Sequence, residues 1–214
     1  MKEAILLSVK PQHLANILNG KKTIEIRKNV LPLNIPVYLY CTKGKPYLVN
    51  FGDYEYPYKA GDIELGFDLK NIERHGAEIL NGKVVAKIWF DRVETIGYGE
   101  MVIPNGYEDF DGNWVDRSVS YGNQYFITNE LIEQACLTYE ELLDYGKGKT
   151  LYAHHISKAE IIEPKEIGEF NKCDGFMDCF KCKYYPLSNN MGVNCKYRPL
   201  TKAPKSWCYV EELK

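Results

Sequence analysis

The sequence predicts a mixed α+β fold built around a small β-barrel, and two observations carry that prediction. The chain opens strand–helix–strand within its first 27 residues, and its later β-type runs are separated by long irregular excursions rather than by regularly alternating helices. A parallel α/β sheet would need that alternation. One domain covering residues 1–214 is expected, with insertions at 44–79, 97–124 and 171–199.

Ala4 to Ser8 is a short apolar strand, and Pro11 then stands where the first turn of a helix tolerates it, ahead of Leu14, Ile17 and Leu18 at helical spacing. Asn19-Gly20 ends that helix. Thr23 to Arg27 alternates strictly, which sends Ile24 and Ile26 to one side and Thr23, Glu25 and Arg27 to the other. Val37 to Cys41 and Lys83 to Val93 read as further strands, the second entered through the Asn81-Gly82 turn. Gly44 to Ile79, rich in Gly, Tyr and Asp, reads as an insertion or a ragged hairpin.

Gly97 to Gln124 is a second irregular stretch, acidic and tyrosine-rich, with Asp111-Gly112 as a hairpin turn. Asn129 is placed to cap a helix running to about Tyr145, with a break near Thr138, and Gly146 and Gly148 stop it. Leu151 to Ile162 and Ser206 to Val210 follow as strands on either side of a cysteine-bearing segment.

The 214 residues include 45% hydrophobic and 26% charged side chains, the balance of an ordinary globular protein. No apolar run approaches the roughly 20 residues that span a bilayer, so a cytoplasmic protein with no membrane partner is expected. Seven cysteines is an odd number, better read in a reducing compartment as buried thiols or metal ligands than as a disulfide framework. The net charge of −2 is unevenly spread: seven Lys/Arg stand against two Asp between Asn171 and Lys205, while Gly99 to Asp116 is acidic. Such polarity suits a phosphate-binding face or a merely uneven surface.

The segment ILNGKKTIEIR, Ile17 to Arg27, resembles the signature of ASCH domains in the PUA-like superfamily: a Gly, then the KxxExR pattern of Lys22, Glu25 and Arg27. Leu137 to Leu142, Tyr152 to Ser157 and Thr201 to Val210 resemble segments of uncharacterised ASCH-like proteins of bacteria and phages. The resemblance implies a barrel related to RNA-binding PUA domains, with a cleft into which the KxxExR side chains project. A nucleotide would find there a phosphate-seeking cation and a carboxylate able to accept a base N–H. The same residues would also serve as an ion-pair network pinning helix to barrel.

Some small ASCH proteins are amidohydrolases of an acetylated cytidine that use a Lys, a Thr and a distal Glu; others are ribonucleases. Lys22 matches the first of these residues. Glu25 falls where their Thr would be, with Thr23 two residues earlier, and the distal Glu aligns near Ala135, two residues from Glu133. Recognition of RNA or a modified base by Lys22, Thr23, Glu25 and Arg27 is therefore the leading expectation. Hydrolysis with Glu25 as base and Lys22 as electrophilic partner is the alternative.

His154 and His155 are adjacent on a strand and point to opposite faces, so at most one looks into the cleft. His155 aligns with the recurrent His of the resembling segment. It joins the ligand-contact candidates, with Trp207, which shares a strand face with Tyr209 and could stack on a base. Core packing explains those two aromatics equally well. Finally, Cys173, Cys179, Cys182 and Cys195 contain one CxxC knuckle and two looser partners, and four thiolates satisfy tetrahedral zinc. A structural zinc is expected to staple this apolar-poor segment, whose Lys181, Lys183, Lys196 and Arg198 interleave with tyrosines as in a nucleic-acid-contacting knuckle. Cys41, Cys136 and Cys208 read as structural thiols.

Overall fold

The structure is a computed structural model that describes residues 3–52, 56–103, 106–108, 111–116, 119–172 and 198–213. The chain begins with β1 (Glu3–Val9), whose interior residues are fully buried, and α1 (Pro11–Leu18), which has Pro11 in its first turn as expected. Gly20, at φ +69°, takes the left-handed conformation that lets the chain leave the helix and enter β2 (Ile24–Arg27). Next come β3 (Val37–Cys41), β4 (Tyr47–Asn50), β5 (Ile63–Gly66), α2 (Leu69–Arg74), β6 (Glu78–Ile79) and the long β7 (Lys83–Ile96). The acidic stretch holds β8 (Tyr98–Ile103), β9 (Gly106–Glu108), β10 (Trp114–Asp116) and β11 (Val119–Tyr125). After α3 (Asn129–Gln134) and α4 (Tyr139–Gly146), the chain ends with β12 (Leu151–Glu166), β13 (Asn171–Lys172), β14 (Arg198–Pro199) and β15 (Trp207–Glu211).

The elements make a mixed α+β protein, mostly sheet, divided into two compact units. The first unit comprises Met1–Lys22, Pro32–Asp91 and Ile156–Lys214; the second comprises Thr23–Leu31 and Arg92–His155.

In the first unit the strand order is β14-β13-β15-β1-β3-β7-β12. β1 pairs parallel with β3, Ile5 opposite Val37, and antiparallel with β15, Leu7 opposite Trp207. A parallel neighbour requires a crossover rather than a hairpin, and the chain between β1 and β3, α1 included, supplies it. Ala4, Leu6, Tyr38, Tyr40, Val84, Phe170 and Val210 form one core cluster of this unit. The expected ragged insertion is a three-stranded sheet, β5-β4-β6, followed through its helix α2. Asn81 ties it to the body: its Oδ1 accepts from the Leu48 N–H at 2.7 Å while its Nδ2 donates to the Gly44 carbonyl, also at 2.7 Å.

In the second unit, β12 pairs antiparallel with β2, and two hairpin-type pairs form, β8 with β11 and β9 with β10 across the Asp111-Gly112 turn. Ile24, Ile26, Ile96, Tyr125, Ala135, Leu142, Leu151 and Ala153 make its core. Each fully buried Leu or Ile contributes about 1.5–3 kcal/mol to that packing. The helical stretch expected from Asn129 is two helices, parted at the expected break near Thr138. Thr128, not Asn129, caps the first, its Oγ1 accepting the Leu131 N–H at 3.2 Å. Cys136 then turns left-handed at φ +49°, and Thr138 starts the second helix in a reciprocal box with Glu141.

Among the described residues, no helix is long and apolar enough to cross a membrane.

Candidate functional site

The turn into β2 is tied back onto α1: the Lys21 and Lys22 N–H groups both donate to the Asn16 carbonyl, at 2.9 and 3.0 Å. Lys22, the last residue of the first unit, is buried, only 3% exposed. Thr23 opens the second unit, exposed, with its N–H donating to the Gln134 carbonyl at 2.9 Å.

Along β2 the alternation works as its pattern dictates. Ile24 and Ile26 enter the core of the second unit, and Glu25 and Arg27 take the other face. There Arg27 NH2 meets Glu25 Oε1 at 2.8 Å, with side-chain exposures of 14% and 7%. A charge-assisted contact this short, largely out of water, is far stronger than a surface ion pair.

The antiparallel register with β12 sets His154 opposite Glu25, Tyr152 opposite Arg27 and His155 opposite Ile24. Directly paired residues share a face, so His154 lies on the Glu25–Arg27 side and His155 on the Ile24 side. His154 is fully buried. Its Nε2 accepts the Leu31 N–H at 2.9 Å, which assigns the ring proton to Nδ1, 3.3 Å from the Glu25 carbonyl oxygen. Burial holds its pKa below the ordinary value, with only partial opposition from the Glu25 carbonyl and carboxylate. A neutral histidine thus joins β12, β2 and the loop at Leu31.

His155 sits in a different cluster. Arg92 NH2 donates to its Nδ1 at 3.0 Å, and Nε2 lies 2.7 Å from Glu94 Oε1. Trp207 is on β15 in the first unit, its ring edge-to-face with Tyr209 at 5.3 Å. Within the second unit the structure therefore joins Glu25 to Arg27 and sets His155 with Arg92 and Glu94 instead.

Two residues absent from the sequence expectation belong to the site. Tyr145, near the end of α4, is 38% exposed, and its ring lies 5.0 Å from Lys28 Nζ. Its hydroxyl is pushed up chiefly by burial, against the nearby Arg27 charge and a hydrogen bond from the Lys28 backbone, while the Glu25 carboxylate adds to the rise. The arrangement combines a partly open aromatic face, a cation over that face and a held carboxylate–guanidinium pair. It can stack a planar ring, attract a phosphate and offer an anionic acceptor.

Cys173, Cys179, Cys182 and Cys195 lie outside the described residues, as does most of the basic segment around them. Among the described residues, no group of three or more His, Cys, Asp or Glu could hold a metal ion. Cys41, Cys136 and Cys208 are thiols in no disulfide among the described residues; burial pushes Cys41 up to about 12, the state of an inert core thiol.

No protein-family model and no curated protein matches the chain. Among solved structures, the chain is similar to proteins of the ASCH type. One is ASCH from Zymomonas mobilis, 13% identical, with a TM-score of 0.45 over 98% of this chain and 88% of that one. A serine-to-alanine mutant of the same protein is 12% identical, with a TM-score of 0.46 over 98% and 89%.

Proposed function

We propose that this chain is a PUA-like protein of the ASCH type, with a barrel at its centre, and that it binds RNA or a nucleotide through Lys22, Glu25 and Arg27 together with Tyr145 and Lys28. The observation that carries the reading is the Glu25–Arg27 pair, 2.8 Å apart and nearly buried, in the same unit as a partly exposed tyrosine with a lysine over its ring. A purely structural ion pair needs no exposed aromatic with a lysine over its face. Stacking on a tyrosine tolerates any base, and a guanidinium has donors enough to hold a carboxylate while facing a phosphate. Lys22, three residues before Glu25 in the chain, supplies the cation of the KxxExR pattern.

Fluorescence anisotropy of short labelled RNAs tests the reading, with the same RNAs and acylated nucleosides followed for turnover. Saturable, salt-sensitive binding without product formation is expected. Turnover lost in both Lys22→Ala and Glu25→Ala would replace binding with hydrolysis as the activity.

The four cysteines Cys173, Cys179, Cys182 and Cys195 form part of the same proposal, as a structural zinc site whose thiolate donor set suits a tetrahedral ion. Elemental analysis of the purified protein should find one zinc per chain, and chelation should expose the segment to protease. No bound zinc, with protease sensitivity unchanged by chelator, would remove this element.

A further inference from the structure

The exit from α4 brings a second partly exposed tyrosine against the chain that follows Tyr145. Lys147, at φ +52°, and Gly148, at φ +75°, turn left-handed and end the helix, and the Lys147 N–H donates to the Leu143 carbonyl at 2.9 Å. Tyr98 of β8 lies against that turn. A Cβ on Gly148 would stand 3.3 Å from its ring, so the absence of a side chain is what lets ring and backbone meet, and the left-handed φ favours glycine as well. Tyr125, directly opposite Tyr98 on β11, fixes the same face of the ribbon to the same turn. Its hydroxyl donates to the Lys149 carbonyl at 3.0 Å, and its ring lies 4.8 Å from that of Tyr98. All these residues belong to the second unit.

Two aromatic residues are thus partly open along one short stretch of chain, Tyr145 at 38% exposure and Tyr98 at 36%. Tyr145 and Gly148 are three residues apart, which holds their Cα atoms within about 10 Å of each other. The side chains around them are largely cationic. Lys147 and Lys149 are exposed and, among the described residues, neither is tied into an ion pair, while Lys28 Nζ lies 5.0 Å from the Tyr145 ring. Asp144 precedes Tyr145 in the chain, and Glu100, two residues past Tyr98, is turned to Ser120, whose hydroxyl donates to its Oε1 at 2.6 Å. Lysines outnumber carboxylates around the turn.

Aromatic rings spaced by lysines suit an unpaired nucleic-acid strand, whose successive bases stack on the rings while the phosphate joining them lies against the cations. A lone nucleotide occupies one ring and leaves the other, with its lysines, unused. Bases inside a duplex have both faces covered by their neighbours and offer neither ring a surface. We infer that Tyr98 and the Lys147–Lys149 turn form a second base subsite next to Tyr145, so that the ligand is at least two linked, unpaired nucleotides with their phosphate at Lys147 and Lys149. This rests on the proposal that Tyr145 receives a base, and it extends that site from a nucleotide to a strand.

Competition against a labelled hexaadenylate on the full chain, read by fluorescence anisotropy, compares adenosine monophosphate with diadenylate. Diadenylate should bind wild type roughly 5- to 150-fold more tightly than the monophosphate, the gain from one more stacked base. Tyr98→Leu keeps an apolar side chain against Tyr125 and should bring diadenylate down to the level of the monophosphate. The monophosphate itself should weaken by no more than about twofold, the loss of one of two stations. Tyr98→Phe keeps the ring and should bind as wild type does, and Tyr98→Val replaces the leucine variant if circular dichroism shows that one unfolded. Lys147→Ala/Lys149→Ala should lower the salt slope for hexaadenylate by at least about 0.7. Diadenylate no tighter than the monophosphate on wild type, full diadenylate affinity in a folded Tyr98→Leu, or an unchanged salt slope in the lysine variant would each overturn the second subsite while leaving the Tyr145 site in place. No binding of any adenylate by wild type would overturn both together.

Discussion

Replacing Arg27 by Met leaves Glu25 as a carboxylate that is 6% exposed and has lost its guanidinium partner at 2.8 Å. The change keeps an unbranched apolar stem in place of the Arg methylenes, so the main loss is electrostatic. Removing one member of a buried pair costs up to about 3–5 kcal/mol, because the remaining charge stays out of water with this counter-charge gone. For a chain of this size, each kcal/mol moves the midpoint by about 2–4 °C, which gives a fall of up to about 6–20 °C in Tm. Thermal melts followed by far-UV circular dichroism at pH 7.5 measure it. The double variant Glu25→Leu/Arg27→Met removes both charges, so it should recover at least half of the lost stability. A single variant within about 1 kcal/mol of wild type would show that water solvates the pair. A double variant as unstable as the single one would show that packing, not charge, was lost.

Two other perturbations probe the second unit. His154 is held neutral by burial, with its folded pKa below the ordinary 6.5, so the unfolded chain binds a proton that the folded chain refuses. Its contribution is whole above pH 6.5 and is lost as pH falls toward the folded pKa. Urea titrations between pH 5 and 7.5 should show wild type weakening relative to His154→Gln by at most about 1.4 kcal/mol per pH unit; parallel curves would refute the assignment. A Cβ on Gly146 would stand 1.8 Å from the Tyr125 hydroxyl, which donates to the Lys149 carbonyl at 3.0 Å, and Tyr125 is itself buried. Gly146→Ala should therefore destabilise by about 1–3 kcal/mol, with partial rescue by Tyr125→Leu; no loss in the single variant would contradict the packing described.

Local pattern carried the parts of the fold that depend on neighbours in the chain. The IEIR alternation gave the two faces of β2, and Val37–Cys41 emerged as a strand with the bounds its residues suggest. The interruption of the helix after Asn129 was visible in Thr138 and Glu141, three apart as a reciprocal cap requires. Which residue caps its first half was not visible, since Thr128 and Asn129 are both good capping residues and only the backbone decides between them.

Long-range register was beyond reach for a physical reason: a strand's partner is set by tertiary packing, and one residue of slip exchanges its faces. The pairing of β2 with β12 puts His154 rather than His155 opposite Glu25. The resemblance of Tyr152 to Ser157 singled out His155, and nothing in that segment shows which of the two faces Glu25. Tyr145 escaped for the same reason. On its helix it reads as one more tyrosine before a glycine stop, and only the fold brings it to Lys28.

The most direct test of the proposed recognition site is the RNA affinity of Tyr145→Ala across a salt series, measured well below the unfolding transition. Tyr145 is 38% exposed, so its removal should leave the fold intact while deleting the stacking face. Loss of one stacked base costs about 1–3 kcal/mol, a weakening of roughly 5- to 150-fold at every salt concentration. Lys28→Ala should instead lower the salt slope by about 0.7, the signature of one lost phosphate contact on a single strand. Wild-type affinity and an unchanged slope in both folded variants would contradict the account, and would leave the Glu25–Arg27 pair as a purely structural link.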